Sequence, residues 1–418
     1  MKSVRPRRIA LYSHDGMGLG HLRRNALIAC GLADAPVRAS TLLIAGAREL
    51  SRMTLPPSVG CLTLPAVRKV DNGHYEPRQI GEEPARLLQL RRQVIRAALD
   101  AYRPDLLIVD KVPEGLCGEL LPSLELLRGR GTRLVLGLRD ILDEPEQVRR
   151  EWEERGSEAV IEAFFDAVWV YGDPTVFDLV REYRFAPAVA RRTHYIGYLN
   201  PGRHPGDPPA DHWRGGSAKG EGRDLDRGPT STPPLPYVVC QVGGGEDGGR
   251  LAEAFARSQL PHGREGILVQ GPYLPAAARH RIRELSAERP ELRVLDFVPG
   301  AARLIRGADR VISMGGYNSV CEILATGRRG LVVPRVWPRQ EQRIRAERMS
   351  ELGLLDWLHP DDLTPRALAE WMVRPAPNGG TPRRQIDFKG LDRLARLTLS
   401  LTDDACHLSC TFPKESTP

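Results

Sequence analysis

Short apolar runs separated by amphipathic stretches recur along most of the chain. Before residue 200 the apolar runs fall at 8–13, 40–45, 105–109, 133–138 and 167–170. Apolar positions at helical spacing fill the intervals near 21–33, 84–101, 114–128 and 145–164. The alternation resumes after residue 235. Strands are expected there at 237–242, 266–269, 292–296, 310–313 and 330–333, and helices near 248–257, 275–288, 318–326 and 339–352. Short, continuously apolar strands alternating with helices mean parallel sheets covered on both faces. The pattern therefore predicts an α/β protein with two Rossmann-like parallel-sheet domains.

The pattern breaks once. Residues 201–234 contain fourteen Gly or Pro among 34 positions and too few apolar side chains to order themselves. The expected division is a first domain over 1–200, a flexible linker or insertion over 201–234, a second domain over 235–402 and a loose polar tail over 403–418. A chain of 418 residues suits two domains of ordinary size. Asp224-Leu-Asp226 spells a metal-binding triplet, but its Pro/Gly-rich setting makes the match accidental.

Composition narrows the function classes. The net charge is +7, and only six of the sixty basic residues are Lys. No basic run is interleaved with aromatics in the way that stacks bases, so nucleic acid is not an expected partner. Seven scattered cysteines argue against a disulfide framework and for a reducing cytoplasm. Cys406 and Cys410 flank His407 without zinc-like spacing. No apolar run is long enough to cross a bilayer. A cytoplasmic location is expected, with peripheral contact at the inner membrane face left open.

In such sheets ligands gather at the carboxyl ends of the strands. Strand one ends in Ser13-His-Asp-Gly-Met-Gly-Leu-Gly-His21, whose glycines Gly16, Gly18 and Gly20 invite a dinucleotide reading. NAD recognition also wants a carboxylate ending strand two, and that strand ends Ile44-Ala-Gly46 without one. His21, opening the following helix, is the first candidate for proton transfer or phosphate contact. The positive end of the helix dipole should keep its ring neutral. Asp110 and Asp140, each following a buried strand, are alternative bases. The loop 65–78 supplies Lys69 and Arg78 as candidate contacts to an anionic acceptor. In the second half, Gly243, Gly244 and Gly245 follow a strand and open a helix, a shape suited to phosphate. A second turn of this kind holds Gly315 and Gly316, before a helix carrying Asn318, Ser319 and Glu322. Ser319-x-x-Glu322 is also a capping box, in which Glu322 would bond only a backbone N–H.

The order of these segments resembles the donor-binding domain of GT-B glycosyltransferases, especially glycosyltransferase family 28, over about residues 237–355 and more loosely before that. The resemblance implies two domains facing across a cleft and a nucleoside-diphosphate sugar as donor, with UDP favoured. It implies that Phe297 and Val298 hold the base through backbone atoms, and that both glycine loops lie by the diphosphate. Glu322 would accept the ribose hydroxyls, and Glu341 with Gln342 the sugar hydroxyls. Gly16, Gly18 and Gly20 would be the family's own N-terminal glycine motif. Two departures stand out: the acids Glu246 and Asp247 beside a phosphate loop, and Glu341-Gln342 where a relative presents two glutamines.

The expected activity is inverting transfer of a hexose or N-acetylhexosamine to an acceptor hydroxyl, on a lipid-linked or small molecule, without metal or other cofactor. A sugar-nucleotide epimerase of the same fold and a non-catalytic nucleotide-sugar-binding protein are the alternatives.

Overall fold

The computed structural model describes residues 6–14, 19–34, 36–47, 50, 53–71, 74–78, 80–201, 235–244, 247–296, 301–375 and 386–403. Expectations for Gly16, Gly18, Gly245, Glu246, Phe297, Val298, the 201–234 segment beyond Pro201, the Asp224/Asp226 triplet and the Cys406/Cys410 tail lie outside these residues.

The first half opens with β1 (Arg7–Ser13), α1 (Gly20–Asp34), β2 (Ala39–Ala45) and β3 (Val59–Thr63). A hairpin of β4 (Val67–Asp71) and β5 (His74–Pro77) follows, then α2 (Pro84–Tyr102), β6 (Leu106–Asp110) and α3 (Leu121–Gly129). Next come β7 (Arg133–Arg139), α4 (Pro145–Arg155), α5 (Ser157–Phe164) and β8 (Ala167–Tyr171). Two short helices, α6 (Leu179–Glu182) and α7 (Pro187–Arg192), lead to β9 (Thr193–Tyr195). Seven strands form one sheet in the order β3-β2-β1-β6-β7-β8-β9. Every pairing in it is parallel. All five residues of β6 and of β8 are buried, as continuous apolar runs require of strands covered on both faces.

The second half runs β10 (Tyr237–Gln241), α8 (Gly249–Arg257), β11 (Glu265–Val269), α9 (Ala276–Ala287) and β12 (Leu292–Leu295). It continues through α10 (Ala302–Gly307), β13 (Arg310–Ser313), α11 (Tyr317–Thr326), β14 (Arg329–Val332), α12 (Glu341–Glu351), β15 (Asp356–Trp357) and α13 (Pro365–Val373). A final helix, α14 (Gly390–Thr402), follows. Six strands form a second all-parallel sheet, β12-β11-β10-β13-β14-β15.

Three local expectations shift. The helix expected over 145–164 is two helices, because Gly156 takes φ 62° and ends the first. The helix expected from 114 begins at Leu121, after Gly115 at φ 72° and a single 3₁₀ turn over Leu116–Gly118. The loop 65–78 is a hairpin that reaches across to the second domain, where the Arg78 guanidinium lies 5.0 Å from the Tyr273 ring centre.

The last helix does not stay with the second sheet. Leu391 of α14 packs so closely on Gly31 of α1 that a Cβ there would sit 3.1 Å from it. Arg7 of β1 donates to Thr402 Oγ1 at 2.7 Å, and Tyr198 N–H donates to Asp387 O at 2.7 Å. The chain thus crosses back, and the unit expected over 235–402 gives this helix to the first domain. No helix among the described residues is long and apolar enough to cross a membrane.

Candidate functional site

In each sheet the strand order reverses direction at one point, between β1 and β6 in the first and between β10 and β13 in the second. A crevice opens beyond the carboxyl ends of the two strands at such a point, because their crossover helices leave to opposite sides. His14 and Lys111 follow the ends of β1 and β6, Asp110 is the last residue of β6, and His21 lies in the first turn of α1. The loops leaving β10 and β13 carry Gly243, Gly244, Gly315 and Gly316. The two crevices face one another.

At the first, His21 Nδ1 lies 2.5 Å from Asp110 Oδ2. Asp110 is fully buried and also takes both carboxylate oxygens to Arg24 Nη2 at 2.7 Å, with Arg24 Nε at 3.1 Å. Burial would raise the Asp110 carboxyl, but Arg24 and His21 hold it well below the usual carboxylate range. An ionised Asp110 accepts from the imidazole Nδ1–H, so Nε2 keeps its lone pair. Burial lowers the His21 imidazole to about 4, against the pull of Asp110. The ring is therefore neutral near pH 7, as expected, but desolvation rather than the helix dipole leads. Asp110, one of the expected alternative bases, stands behind His21 and orients it.

His14 lines the same pocket, its ring centre 5.2 Å from that of His21. Burial and the neighbouring His21 push its pKa well below the usual value. Its Nδ1 is buried with no hydrogen-bond partner among the described residues.

Asp140 is buried in an ion pair. Arg345 of α12 grips it through Nη2 at 2.6 Å and Nε at 2.9 Å, and Tyr198 OH donates at 3.2 Å. Arg345 also donates to Gly315 O at 2.8 Å, which ties the second glycine turn to the first domain. The geometry gives Asp140 a bridging place between domains and leaves it no open oxygen facing an acceptor.

On the donor side, α11 begins at Tyr317 with Gly316 as its N-cap and no side-chain capping bond. Glu322 is therefore in the second turn, and the capping box does not form. Its carboxylate is buried, ion-paired to Arg23 of α1, and accepts from Gln241 Nε2 at 3.4 Å. Asn318 Nδ2 donates to Gly20 O at 3.0 Å across the cleft, and Ser319 is buried on the same helix. A Cβ on Gly244 would lie 3.4 Å from Leu19, so this turn packs directly on the first domain's loop. A Cβ on Gly316 or Gly20 would meet nothing within 4 Å, leaving room for a ligand to approach the backbone.

Glu341 accepts from Arg335 Nη2 at 2.5 Å, while its Oε2 is buried without a partner among the described residues. Burial would raise this carboxyl, but Arg139 and then Arg335 bring it down to about 2. Gln342 Oε1 accepts from the Arg335 N–H at 3.1 Å and so fixes the loop before α12. Arg339 crosses to Asp143 at 2.8 Å and to Glu151 at 2.6 Å. Lys69 belongs to β4, and Arg78 turns toward Tyr273.

Two further residues were missed from the sequence. Arg24 lies three residues after His21 on α1, the spacing that puts both on one face. Lys111 follows Asp110 with φ 70°, a left-handed turn rare outside glycine. Burial, with Arg139 and Arg339 nearby, lowers its ammonium to about 7. A lone cation in an extended run gave no signal beyond its position at a strand end.

Residues 258–379 match the glycosyltransferase family 28 C-terminal domain. The matched stretch is one domain of a chain with the GT-B fold. The domain covers β11 to β15 and so includes Gly315, Glu322, Glu341 and Gln342. A stretch of 92 residues is 32% identical to the UDP-N-acetylglucosamine–N-acetylmuramyl-(pentapeptide) pyrophosphoryl-undecaprenol N-acetylglucosamine transferase of Haemophilus influenzae (strain PittEE), covering 22% of this chain and 26% of that protein. The protein of that name from Rubrobacter xylanophilus (strain DSM 9941 / JCM 11954 / NBRC 16129 / PRD-1) is 30% identical over 140 residues, 32% of this chain and 38% of the other. The chain therefore spans about a quarter to two fifths of these relatives. Among solved structures, the glycotransferase of kitacinnamycin superposes with a TM-score of 0.55 at 17% identity, covering 95% of both chains. A putative UDP-N-acetylglucosamine 2-epimerase from Listeria monocytogenes superposes at 0.60 and 12% identity, covering 98% of this chain and 100% of that one. Both likenesses show the GT-B fold of the whole chain and nothing of its chemistry.

Proposed function

We propose that this protein is a glycosyltransferase that moves a hexose or N-acetylhexosamine from a nucleoside-diphosphate sugar, UDP-linked in the favoured reading, to an acceptor hydroxyl with inversion. The observation that carries the reading is the His21–Asp110 pair at one switch point, set opposite the glycine turns at the other, of which Gly315–Gly316 lies in the family 28 match. Nε2 of a neutral His21 takes the proton of the acceptor hydroxyl as its oxygen attacks the anomeric carbon. Asp110 stabilises the imidazolium that forms, and Arg24 keeps Asp110 ionised and in place. The departing diphosphate is received by backbone N–H groups of the glycine turns and the N-terminus of α11. Glu341 Oε2, buried and unpartnered among the described residues, accepts from sugar hydroxyls. Glu322 accepts from the ribose. The proposal includes no resident metal or other cofactor, and a cytoplasmic site of action.

The epimerase reading shares the fold. A base that lines a pocket built mainly by the first domain favours transfer to a second substrate. Incubation of the purified protein with UDP-sugars and an acceptor panel, scored for UDP release and glycosylated product, tests the proposal. Interconversion of the sugar without UDP release would favour the epimerase.

Two expected results follow at the donor side. Glu322→Ala should weaken UDP-sugar binding by roughly 1–3 kcal/mol, the range for losing a charged hydrogen-bond acceptor. Calorimetry on the folded variant reads it, and unchanged affinity would confine Glu322 to its ion pair with Arg23. Turnover should survive EDTA, because in this reading the departing charge is met by backbone N–H groups and the N-terminus of α11. Loss on chelation with recovery on Mg²⁺ or Mn²⁺ would overturn metal-independent transfer.

A further inference from the structure

The pocket in front of His21 is built mainly by the first domain, from the ends of β1, β6 and β7 and from α4 and α5, with the loop before α12 closing one side. Five of its side chains are Lys or Arg, against three carboxylates. Each of those carboxylates already has an arginine partner, although Glu341 uses only Oε1. Arg335 holds Glu341, with Arg139 3.7 Å from the same oxygen, and Arg339 holds Asp143 and Glu151. Lys111 and Arg155 are left with no side-chain hydrogen bond or ion pair to any described residue.

Their positions matter. Lys111 directly follows Asp110, so it stands beside the proton-accepting pair. It is half-buried, and desolvation first, then Arg139 and Arg339, weaken its hold on its proton, with Glu341 and Glu151 offsetting part of that effect without bonding it. Arg155 lies exposed at the rim, at the C-terminal end of α4. Leu142, Val148 and Trp152 give the same pocket an apolar wall.

We propose that the acceptor is an anionic molecule with an apolar body, whose carboxylate or phosphate is held by Lys111 and Arg155 while its hydroxyl is presented to His21. This deepens the transferase reading and rests on it for the hydroxyl's fate. The anion site itself needs only the pocket. Lys111, one residue from the dyad, takes the charge close to the reacting hydroxyl, and Arg155 takes it from the solvent side. Shape and apolar contact with Trp152 select the body, and the two cations select the charge.

Calorimetry with three ring compounds tests this: phenyl phosphate, benzoate and benzyl alcohol, each titrated into protein alone and into protein saturated with UDP. At least one anion should bind the UDP-saturated protein roughly tenfold or more tightly than benzyl alcohol, the worth of one charge-assisted hydrogen bond. Whether phenyl phosphate or benzoate leads distinguishes a phosphate from a carboxylate acceptor. Lys111→Gln and Arg155→Gln should each remove most of that preference and leave benzyl alcohol unchanged. Arg155 is exposed, so its variant keeps the test open if Lys111→Gln does not fold. Equal binding of the neutral ring, an undiminished preference in the folded variants, or displacement of the anion by UDP would overturn the proposal. Failure of UDP itself to bind would sink the donor reading alone, since the anion arms without UDP stand on their own.

Discussion

His21→Ala should lower kcat by roughly 10²–10⁴, the usual worth of a positioned acid–base group, with donor affinity almost unchanged. The split follows from where the interaction acts. The Nε2 lone pair gains its proton only as the acceptor oxygen attacks, so its contribution belongs to the transition state and not to the bound donor. Asp110→Asn should also depress kcat, because the amide no longer enforces the Nδ1–H tautomer or stabilises the imidazolium. The pH profile gives an independent reading. With the folded imidazole at about 4, kcat should be level above about pH 5 and fall only below it. An acid limb centred near the ordinary value of 6.5 would mean that His21 is not desolvated. The same shift has a stability consequence. As pH drops from about 6.5 toward 4, the unfolded chain binds a proton at His21 that the folded chain refuses, so the folded state loses stability over that window. A variant with near-normal kcat would remove His21 from the chemistry altogether.

The second large effect concerns the joint between the domains. Asp140→Ala should cost about 3–5 kcal/mol of stability, because it leaves the Arg345 guanidinium buried and uncompensated. Both side chains are almost completely shielded from water, at 1% and 0% exposure. The pair also holds Gly315 through Arg345, so UDP-sugar binding should weaken along with the unfolding midpoint in urea. The double replacement Asp140→Leu with Arg345→Met should recover most of the stability, because removing both charges also removes their desolvation cost. It should not recover donor binding, since no group is then left to hold the Gly315 carbonyl. A single variant within about 0.5 kcal/mol of the wild type, the size of an ordinary surface substitution, would show that the pair bears little load.

Much of the architecture was legible because it depends on local periodicity. Continuously apolar runs such as 106–109 and 237–240 can only be strands covered on both faces, and their alternation with helices implies parallel sheets. What escaped was weakly patterned. Strand β3 is an edge strand with mostly exposed residues and a Gly at its second position, and β15 has two residues. The β4–β5 hairpin pairs only with itself and adds no strand to either large sheet, so no buried face imposes an alternation on it.

The site divides in a similar way. The glycine turns at 243–244 and 315–316, and the carboxylates that follow strands, could be found from order along the chain. Their partners could not. Asp110 and Asp140 look alike in sequence, each an acid after a buried strand. One faces His21 and Arg24 and, in the proposed reading, orients the proton acceptor. The other meets Arg345, 205 positions away, and becomes a strut. Two parallel sheets, the glycine turns at their carboxyl ends and a histidine opening the first helix can be read along the chain, since hydrophobic period and turn chemistry act over a few residues. Which charges are paired, which are left over, and to which domain the last helix belongs emerge only when the chain is folded. Those outcomes depend on burial and on distances between groups remote in the chain, and a charge's worth changes many-fold with both.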